Sequence, residues 1–283
     1  MNVPRPTSKY SAVPRVSVII PAYNMAEFVG QAITSVLDVV YNNVELIVID
    51  DGSTDATERV VRQFAEPEGN RYDKRVRYLS QPNQGKPAAV NRGIEAMSGE
   101  YLALLDADDQ LPPNSLTRRM EALRENPGTD MAIGGFEVIG EVSTVTLGER
   151  PCPRSLSPNR LKRAFCLSYR TPFHLNACLL HRSLVERVGP FDPELKRCQD
   201  IDYSIRCLKE TQGIICVDES VYLYRKHRDS TRDRIGVRLS TIRHRRFVVL
   251  KNFSSPQKYI YIFVVLILGL SKLIYEIFCS YKS

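Results

Sequence analysis

The sequence predicts an α/β fold: a Rossmann-like, mostly parallel central sheet flanked by helices, with a C-terminal helical tail that is a candidate for membrane association. Three observations predict it. Short β-branched or apolar runs alternate with stretches of helical periodicity over the first 110 residues, and such alternation implies parallel strands joined by right-handed crossovers. The loops after Ile20, Ile49 and Leu105 carry Tyr23, Asp50 with Asp51, and Asp106 with Asp108; in open sheets of this kind ligands bind beyond the carboxyl ends of the strands. The chain has 283 residues, 43% hydrophobic and 25% charged. That suffices for a sizeable core, as one large domain or two small ones.

Taken in order, residues 1–14 hold three prolines and little apolar content, which suits a flexible lead-in. Residues 16–20 form a buried strand by their β-branched content, and Pro21-Ala22-Tyr23-Asn24 turns the chain. Phe28, Ala32, Ile33, Val36, Leu37 and Val40 follow at helical spacing. A second strand at 44–49 is broken by the 50–55 loop, where Ser53 or Thr54 can cap a helix carrying Val60, Val61 and Phe64. The polar stretch 66–75 is a surface loop and 76–79 a third strand. Asn83-Gln84-Gly85-Lys86 leads into a helix with Ala88, Ala89 and Ile94 that stops at Ser98-Gly99. The fourth strand, 101–105, ends abruptly in three carboxylates.

Beyond Pro113 the alternation loosens. A helix at 115–124 precedes a strand near 131–139, and 141–160 is irregular, rich in Pro and Ser. Residues 173–181 are a loop entering a strand, and 188–192 a turn. Ile201, Ile205 and Leu208 give the next helix an apolar face. Asp200 stands at its start, where a carboxylate's charge is favoured; a plain N-cap is the simpler role. Residues 222–231 follow a short strand, and His227 taken alone is a surface histidine.

The chemistry centres on Asp106-Ala107-Asp108-Asp109. If the chain stays extended past Leu105, Asp106 and Asp108 share a face, while Asp109 alternates to the other and is a turn residue. Two adjacent carboxylates repel unless a proton or cation sits between them. A hard divalent ion with oxygen ligands, Mg²⁺ or Mn²⁺, is the simplest occupant; a solvated acidic turn is the alternative. Neither G-x-G-x-x-G nor G-x-x-x-x-G-K-[ST] occurs, so a bound nucleotide would need a metal and side chains for its phosphates.

The formal charge of +7 is uneven, with ten Lys or Arg between Arg225 and Lys251 against Asp229 and Asp233. Such a tract suits phosphates, anionic lipid or nucleic acid, or forms a solvated helix. Seven cysteines without a C-x-x-C pair suggest reduced thiols in a cytosolic setting, and no secretory signal is visible. Residues 259–270 are almost wholly apolar, and Leu273, Ile274, Ile277 and Phe278 extend the run past Lys272 and Glu276. The uninterrupted part is short for a membrane span, whereas the whole stretch to Tyr281 is long enough. A buried C-terminal helix competes with membrane association, for which the upstream basic residues would keep the main domain on the cytoplasmic side.

Six segments together resemble the family 2 glycosyltransferases of the GT-A fold: residues 16–24 (VSVIIPAYN), 49–55 (IDDGSTD), 83–91 (NQGKPAAVN), 99–109 (GEYLALLDADD), 189–206 (GPFDPELKRCQDIDYSIR) and 224–231 (YRKHRDST). The resemblance runs from about residue 14 to 232 in the family's order; the tail beyond 240 lies outside it. It implies a GT-A type sheet and inverting transfer of a sugar from a nucleotide donor. In its terms Pro21 and Tyr23 line the nucleotide pocket, Asp51 reads the base with Asp50 beside it, and Lys86 belongs to the donor site. Asp106 and Asp108 form the D-x-D motif, whose second carboxylate holds the Mn²⁺ or Mg²⁺ bridging the diphosphate. Asp200 is the catalytic base, and Arg225 with His227 closes over the diphosphate. Gln199 departs from the pattern, since the family usually places an acid there.

The resemblance also divides the chain into a lead-in (1–14), a nucleotide-sugar-binding half (15–110), an acceptor-binding and catalytic half (111–235), and a basic helix with an apolar tail (236–283). Its implied partners are a nucleotide-sugar donor, most commonly a UDP-sugar, a carbohydrate or glycolipid acceptor, and the inner membrane surface through the tail, with no nucleic acid. Three rivals remain. A nucleotidyltransferase would carry a Gly-rich basic loop after its first strand, which Pro21-Ala22-Tyr23-Asn24 is not. A polyprenyl-phosphate sugar synthase would share the first half, while the match around Asp200 argues for a sugar acceptor. A non-catalytic carbohydrate- or nucleic-acid-binding protein would account for the basic tract and leave the carboxylates at the sheet edge without a purpose.

Overall fold

The computed structural model describes residues 13–140, 146–153, 157–167, 171–227, 235–254 and 259–267. The expected lead-in and the apolar run beyond 267 therefore fall outside the described residues. The first half alternates as expected: β1 (Val16–Ala22), α1 (Val29–Leu37), β2 (Val44–Asp50), α2 (Thr57–Ala65), β3 (Val76–Ser80), α3 (Lys86–Ala96) and β4 (Tyr101–Leu104). The second half contains α4 (Ser115–Glu125), β5 (Met131–Ile139), β6 (Thr146–Arg150), α5 (Pro158–Leu167), a 3₁₀ turn (Leu175–Ala177), β7 (Cys178–His181), α6 (Arg182–Val188), α7 (Gln199–Glu210), β8 (Ile214–Arg225) and α8 (Ile235–Asn252).

These strands form one sheet in the order β3-β2-β1-β4-β7-β5-β6, with β8 on β5. β1, β2, β3 and β4 pair in parallel. β7 is antiparallel to both β4 and β5, so β5 regains the common direction, and β8 runs parallel to it. The carboxyl ends of β1, β2, β3, β4 and β8 and the amino end of β7 therefore meet at one edge. The α/β class and the mostly parallel sheet are as the sequence predicts.

Alternation across the strands explains the two cores. Val18, Ile20, Leu46 and Val48 face α1, α2 and α4 through Val29, Ile33, Val61 and Leu116. Ile19, Ile47, Ile49 and Leu102 face the opposite layer, with Ala89 and Val90 of α3, Leu184 of α6 and Ile205 of α7. Burying each such side chain contributes about 1.5–3 kcal/mol. Two polar residues interrupt the pattern: Ser17 is fully buried and Glu45 is 3% exposed. Ser17 Oγ donates to Glu45 Oε1 at 2.5 Å, and the Ser98 and Gly99 amides donate to the same oxygen at 2.5 and 2.9 Å. Burial pushes the Glu45 carboxyl up, but these donors outweigh it and hold it below its ordinary value.

Three expectations need correction. The 141–160 stretch contains β6 and the start of α5; β6 is polar because it pairs only with β5, at the end of the sheet, and so lacks the apolar signature of a central strand. The short strand before Tyr222 is the twelve-residue β8, which follows β5 through two register shifts. Ser53 and Thr54 do not cap α2, whose N-cap is Ala56. Cys152 and Cys216 lie side by side, with Cα atoms 6.3 Å apart, within the reach of a disulfide. That contact joins segments 64 residues apart, invisible to cysteine spacing. Cys178, Cys198 and Cys207 are free and buried.

Residues 259–267 are helical. Among the described residues, no helix is long and apolar enough to cross a membrane.

Candidate functional site

β2 delivers Asp50 and Asp51 to the edge, both 3% exposed. The chain turns at Gly52, with φ 73°, and passes so close to the next loop that a Cβ would stand 2.8 Å from Asn83 N. Asp50 accepts from Ser53 N at 2.8 Å and from the Tyr78 hydroxyl at 3.0 Å. Asp51 accepts from Gln81 Nε2 at 2.7 Å and from the Gln84 and Gly85 amides at 2.9 and 2.8 Å. Its carboxylate thus holds the 81–85 loop that starts α3. Ser53 and Thr54 serve the neighbouring loop instead of a helix: Ser53 Oγ accepts from Asn24 N at 3.0 Å, and Asn24 Oδ1 accepts from Thr54 N at 2.8 Å. Tyr23, beside Asn24, is 45% exposed.

Lys86, the first residue of α3, places Nζ 2.6 Å from Asp106 Oδ1. Burial pulls the ammonium down, but Asp106, with Asp200 and Asp108 beyond it, more than compensates and leaves it raised. Asp106 is the converse case: burial pushes its carboxyl up, and Lys86 brings it below its ordinary value.

The 106–109 segment is a turn, not a continuing strand, yet carboxylate oxygens of Asp106, Asp108 and Asp109 all lie within 4.8 Å of one another. Asp108 Oδ2 is 2.9 Å from His227 Nε2, which arrives just past the end of β8. Asp109 departs from its expected place as a turn residue. It is 1% exposed, accepts from Arg225 N at 2.6 Å and bonds the Tyr222 hydroxyl. Burial, together with Asp108 and Asp106, pushes its carboxyl well up.

Arg225 is placed otherwise than the resemblance implies. It is 2% exposed, and its guanidinium donates to Asp108 O at 2.8 Å, Gly140 O at 3.2 Å and Gln31 Oε1 at 2.9 Å. It lies over Phe28, 5.5 Å from the ring centre, and Phe28 meets the His227 ring edge-on at 5.1 Å. Arg225 fixes the turn that carries Asp108 and the segment that carries His227; it does not open onto the edge.

Asp200 enters from the opposite layer as the second residue of α7. The N-cap is Cys198, in the left-handed conformation at φ 60°, so the plain capping role for Asp200 falls away. Asp200 lines one narrow cleft with Pro21, Lys86, Asp106, Asn176 and Gln199. Its carboxylate accepts no hydrogen bond among the described residues. The structure thus gathers Pro21, Lys86, Asp106 and Asp200 around one cleft, with Asp108 and His227 adjoining across the 106–109 turn.

Three contributors were not picked out from the sequence. The His174 ring stacks on Tyr222 at 4.9 Å, and its Nδ1 accepts from Asn176 N at 3.3 Å. Asn176 donates through Nδ2 to the Tyr222 hydroxyl at 3.0 Å, and both His174 and Asn176 help hold Asp106 ionised. The available signal was two polar residues, His174 and Asn176, inside an otherwise apolar loop entering a strand.

The donor set fits a hard divalent cation. Asp108 Oδ2 and His227 Nε2 are hydrogen-bonded to each other at 2.9 Å, close enough to serve one ion. Asp106 adds a second carboxylate, whereas Asp109 is committed to Tyr222 and Arg225.

The family model described as glycosyl transferase family 2 matches residues 17–189. The uncharacterized glycosyltransferase EpsJ of Bacillus subtilis is 26% identical over 221 residues, covering 77% of this chain and 63% of its own length. The uncharacterized glycosyltransferase RT0329 of Rickettsia typhi is 31% identical over 197 residues, covering 69% of this chain and 59% of its own. The chain thus spans about three fifths of the length of these two relatives. Among solved structures, S. aureus TarS 1–349 in complex with UDP-GlcNAc superposes with a TM-score of 0.64 at 18% identity, over 88% of this chain and 70% of that one. The mannosyltransferase PcManGT of Pyrobaculum calidifontis, in complex with GDP-Man and Mn²⁺, gives 0.60 at 18%, over 90% and 69%. These two likenesses establish the fold.

Proposed function

Because the chain belongs to glycosyl transferase family 2, we propose that it moves a sugar from a nucleotide-sugar donor to an acceptor hydroxyl by a metal-dependent, inverting single displacement. The observation that carries this reading is the convergence of Lys86, Asp106 and Asp200 on one cleft, with Asp108 and His227 at its rim. Two of the structural relatives are complexes with sugar nucleotides, one of UDP and one of GDP. We take a UDP-sugar as the donor.

In this reading Pro21 and Tyr23 border the nucleotide. Asp51 uses three of about four acceptor positions on the 81–85 loop, which leaves one on Oδ2 for a base N–H. Asp50 supports it by fixing the 51–53 turn. Asp108 and His227, with Asp106 beside them, would hold Mn²⁺ or Mg²⁺, which would supply positive charge against the departing nucleoside diphosphate. Lys86 holds Asp106 in place and adds a positive charge at the same side of the cleft. Arg225 positions Asp108 and His227.

Asp200 accepts the proton of the acceptor hydroxyl while its oxygen bonds to the anomeric carbon. The bond to the diphosphate breaks on the far side, its electron pair leaves with the diphosphate, and the anomeric centre inverts. The acceptor is a growing glycan or glycolipid, and the enzyme works at the cytoplasmic face of a membrane that its tail contacts. The test is a panel of sugar nucleotides incubated with Mn²⁺, with Mg²⁺ or with a chelator, following nucleoside diphosphate release. One donor is expected to react, only with metal. No metal-dependent release from any donor overturns the reading.

A further inference from the structure

Away from this cleft, where α5, α7 and α8 meet the 259–267 helix, lies a hollow of about 260 Å³. Lys162, Arg163 and Lys209 line it together with Asn252, Ser254 and Tyr261, and none of its lining residues is acidic. Among the described residues, neither Lys162 nor Arg163 has a carboxylate partner. Lys209 is held by Asn252, whose Oδ1 accepts from Nζ at 2.8 Å, and Asn252 is in turn anchored on Asp202 Oδ1 at 2.7 Å. Lys162 stands close enough to Lys209 to oppose its charge, while Asp202 and Glu210 favour it. Burial, and Lys162 next to it, pulls the Lys209 ammonium down. Ammonium and guanidinium groups lining one hollow suit a phosphate oxyanion.

Tyr261 links this hollow to an apolar surface. It is 6% exposed, as Val265 on the same inward side is 5%, and it packs edge-on against Phe253 at 4.9 Å. The opposite side of the same helix is exposed: Ile260, Phe263 and Ile267 are 59%, 64% and 47% exposed. Residues three or four apart share a helix face, so these three form one stripe. An exposed apolar stripe beside cationic side chains is the composition of a segment lying in the interfacial layer.

We propose that the hollow binds the phosphate of an anionic phospholipid head group while the outer face of the 259–267 helix enters the bilayer interface. The basic, acid-free lining selects an anionic occupant, and the exposed apolar face beside it selects a lipid surface over a soluble phosphate. The inference deepens the membrane contact proposed above and is independent of the sugar-transfer reading.

The test is co-sedimentation of the full chain with vesicles of phosphatidylcholine alone or of phosphatidylcholine mixed with phosphatidylglycerol. Binding is expected to the mixed vesicles and to fall with salt. Replacing Lys162 and Arg163 together by alanine is expected to weaken it on the order of 30-fold, at about a kilocalorie per basic residue near the surface. Phe263→Glu is expected to weaken it as well, with the thermal melt and donor hydrolysis of both variants unchanged. Equal binding to neutral and anionic vesicles overturns the head-group site while leaving an apolar membrane contact. Unimpaired binding by the alanine variant overturns it too. So does glycerol phosphate binding without vesicle association, or self-association through the stripe instead of lipid binding.

Discussion

Between β1 and β4 the chain reaches the functional edge by local steps: each strand is followed by a loop, and each loop sets down its residues within a few positions of the strand's end. Between β5 and β8 it reaches the same edge by long-range contacts. Asp109 meets Tyr222 and Arg225 more than a hundred residues later, and Asp108 meets His227 across an equal span. The first half supplies carboxylates and the loops that hold them. The second supplies Asp200, the His227 partner and the buried network that fixes where Asp108 stands. A site built this way needs both halves folded, and substitutions in the two halves should fail differently.

The largest effect is expected at Asp200. Asp200→Asn keeps the cleft's shape and removes the base, so turnover should fall on the order of 10²–10⁴-fold while nucleoside diphosphate binding stays near wild type. Steady-state turnover beside calorimetric titration of the diphosphate separates the two quantities, and retained turnover removes Asp200 from the role. Asp108→Ala is the first-half counterpart and should do the reverse of sparing the donor. The gain in diphosphate affinity produced by Mn²⁺ should disappear, with the metal-free affinity little changed. If both variants show the same pattern, the division between a donor-holding and a proton-accepting half is wrong.

The difference between the halves is also why one was legible in the sequence and the other only in part. β1 and β2 are buried on both faces, so their β-branched runs stand out, and the loop carboxylates could be placed at the edge from strand order alone. Asp200, at the start of an amphipathic helix, could be singled out by resemblance, but its spacing alone suggested a cap. Asp109 could not be read: extended-strand alternation puts it on the far face, and only the turn at 107–108 brings it back beside Asp106 and Asp108. The resemblance assigns Arg225 to the diphosphate, and nothing in its neighbours announces Gln31 or Gly140 as partners. Long-range polar pairing leaves no periodicity to read.

Asp109→Ala sharpens this point with a smaller effect. It leaves the Arg225 amide and the Tyr222 hydroxyl buried without their acceptor, which should cost about 1–3 kcal/mol in stability. It should also loosen Asp108 and His227 and reduce the benefit of Mn²⁺. Tyr222→Phe takes the hydroxyl from both Asp109 and Asn176 but leaves Asp109 on the Arg225 amide, so its cost to stability should be similar and its effect on the benefit of Mn²⁺ smaller. Urea midpoints with parallel Mn²⁺-dependent binding curves measure both. A destabilised Asp109→Ala protein with fully normal metal dependence would mean that the network supports the fold and not the site.

The smallest expected effect belongs to the first half and is one of acid sensitivity. Glu45 Oε1 accepts from Ser17, Ser98 and Gly99, and these donors favour the ionised form that burial opposes. Its other oxygen lies 3.5 Å from Arg77, whose side chain is 45% exposed, so that ion pair adds little. A carboxyl held below its unfolded value contributes stability that is fully present above that value and lost as pH falls through the lower folded one. Glu45→Gln should therefore cost about 1 kcal/mol near neutral pH, and its deficit should shrink as pH drops below the ordinary carboxylate range. Urea midpoints of the two proteins, taken from neutral to acid pH, should converge. Parallel curves would show that Glu45 acts through shape and hydrogen bonding, with no contribution from its charge.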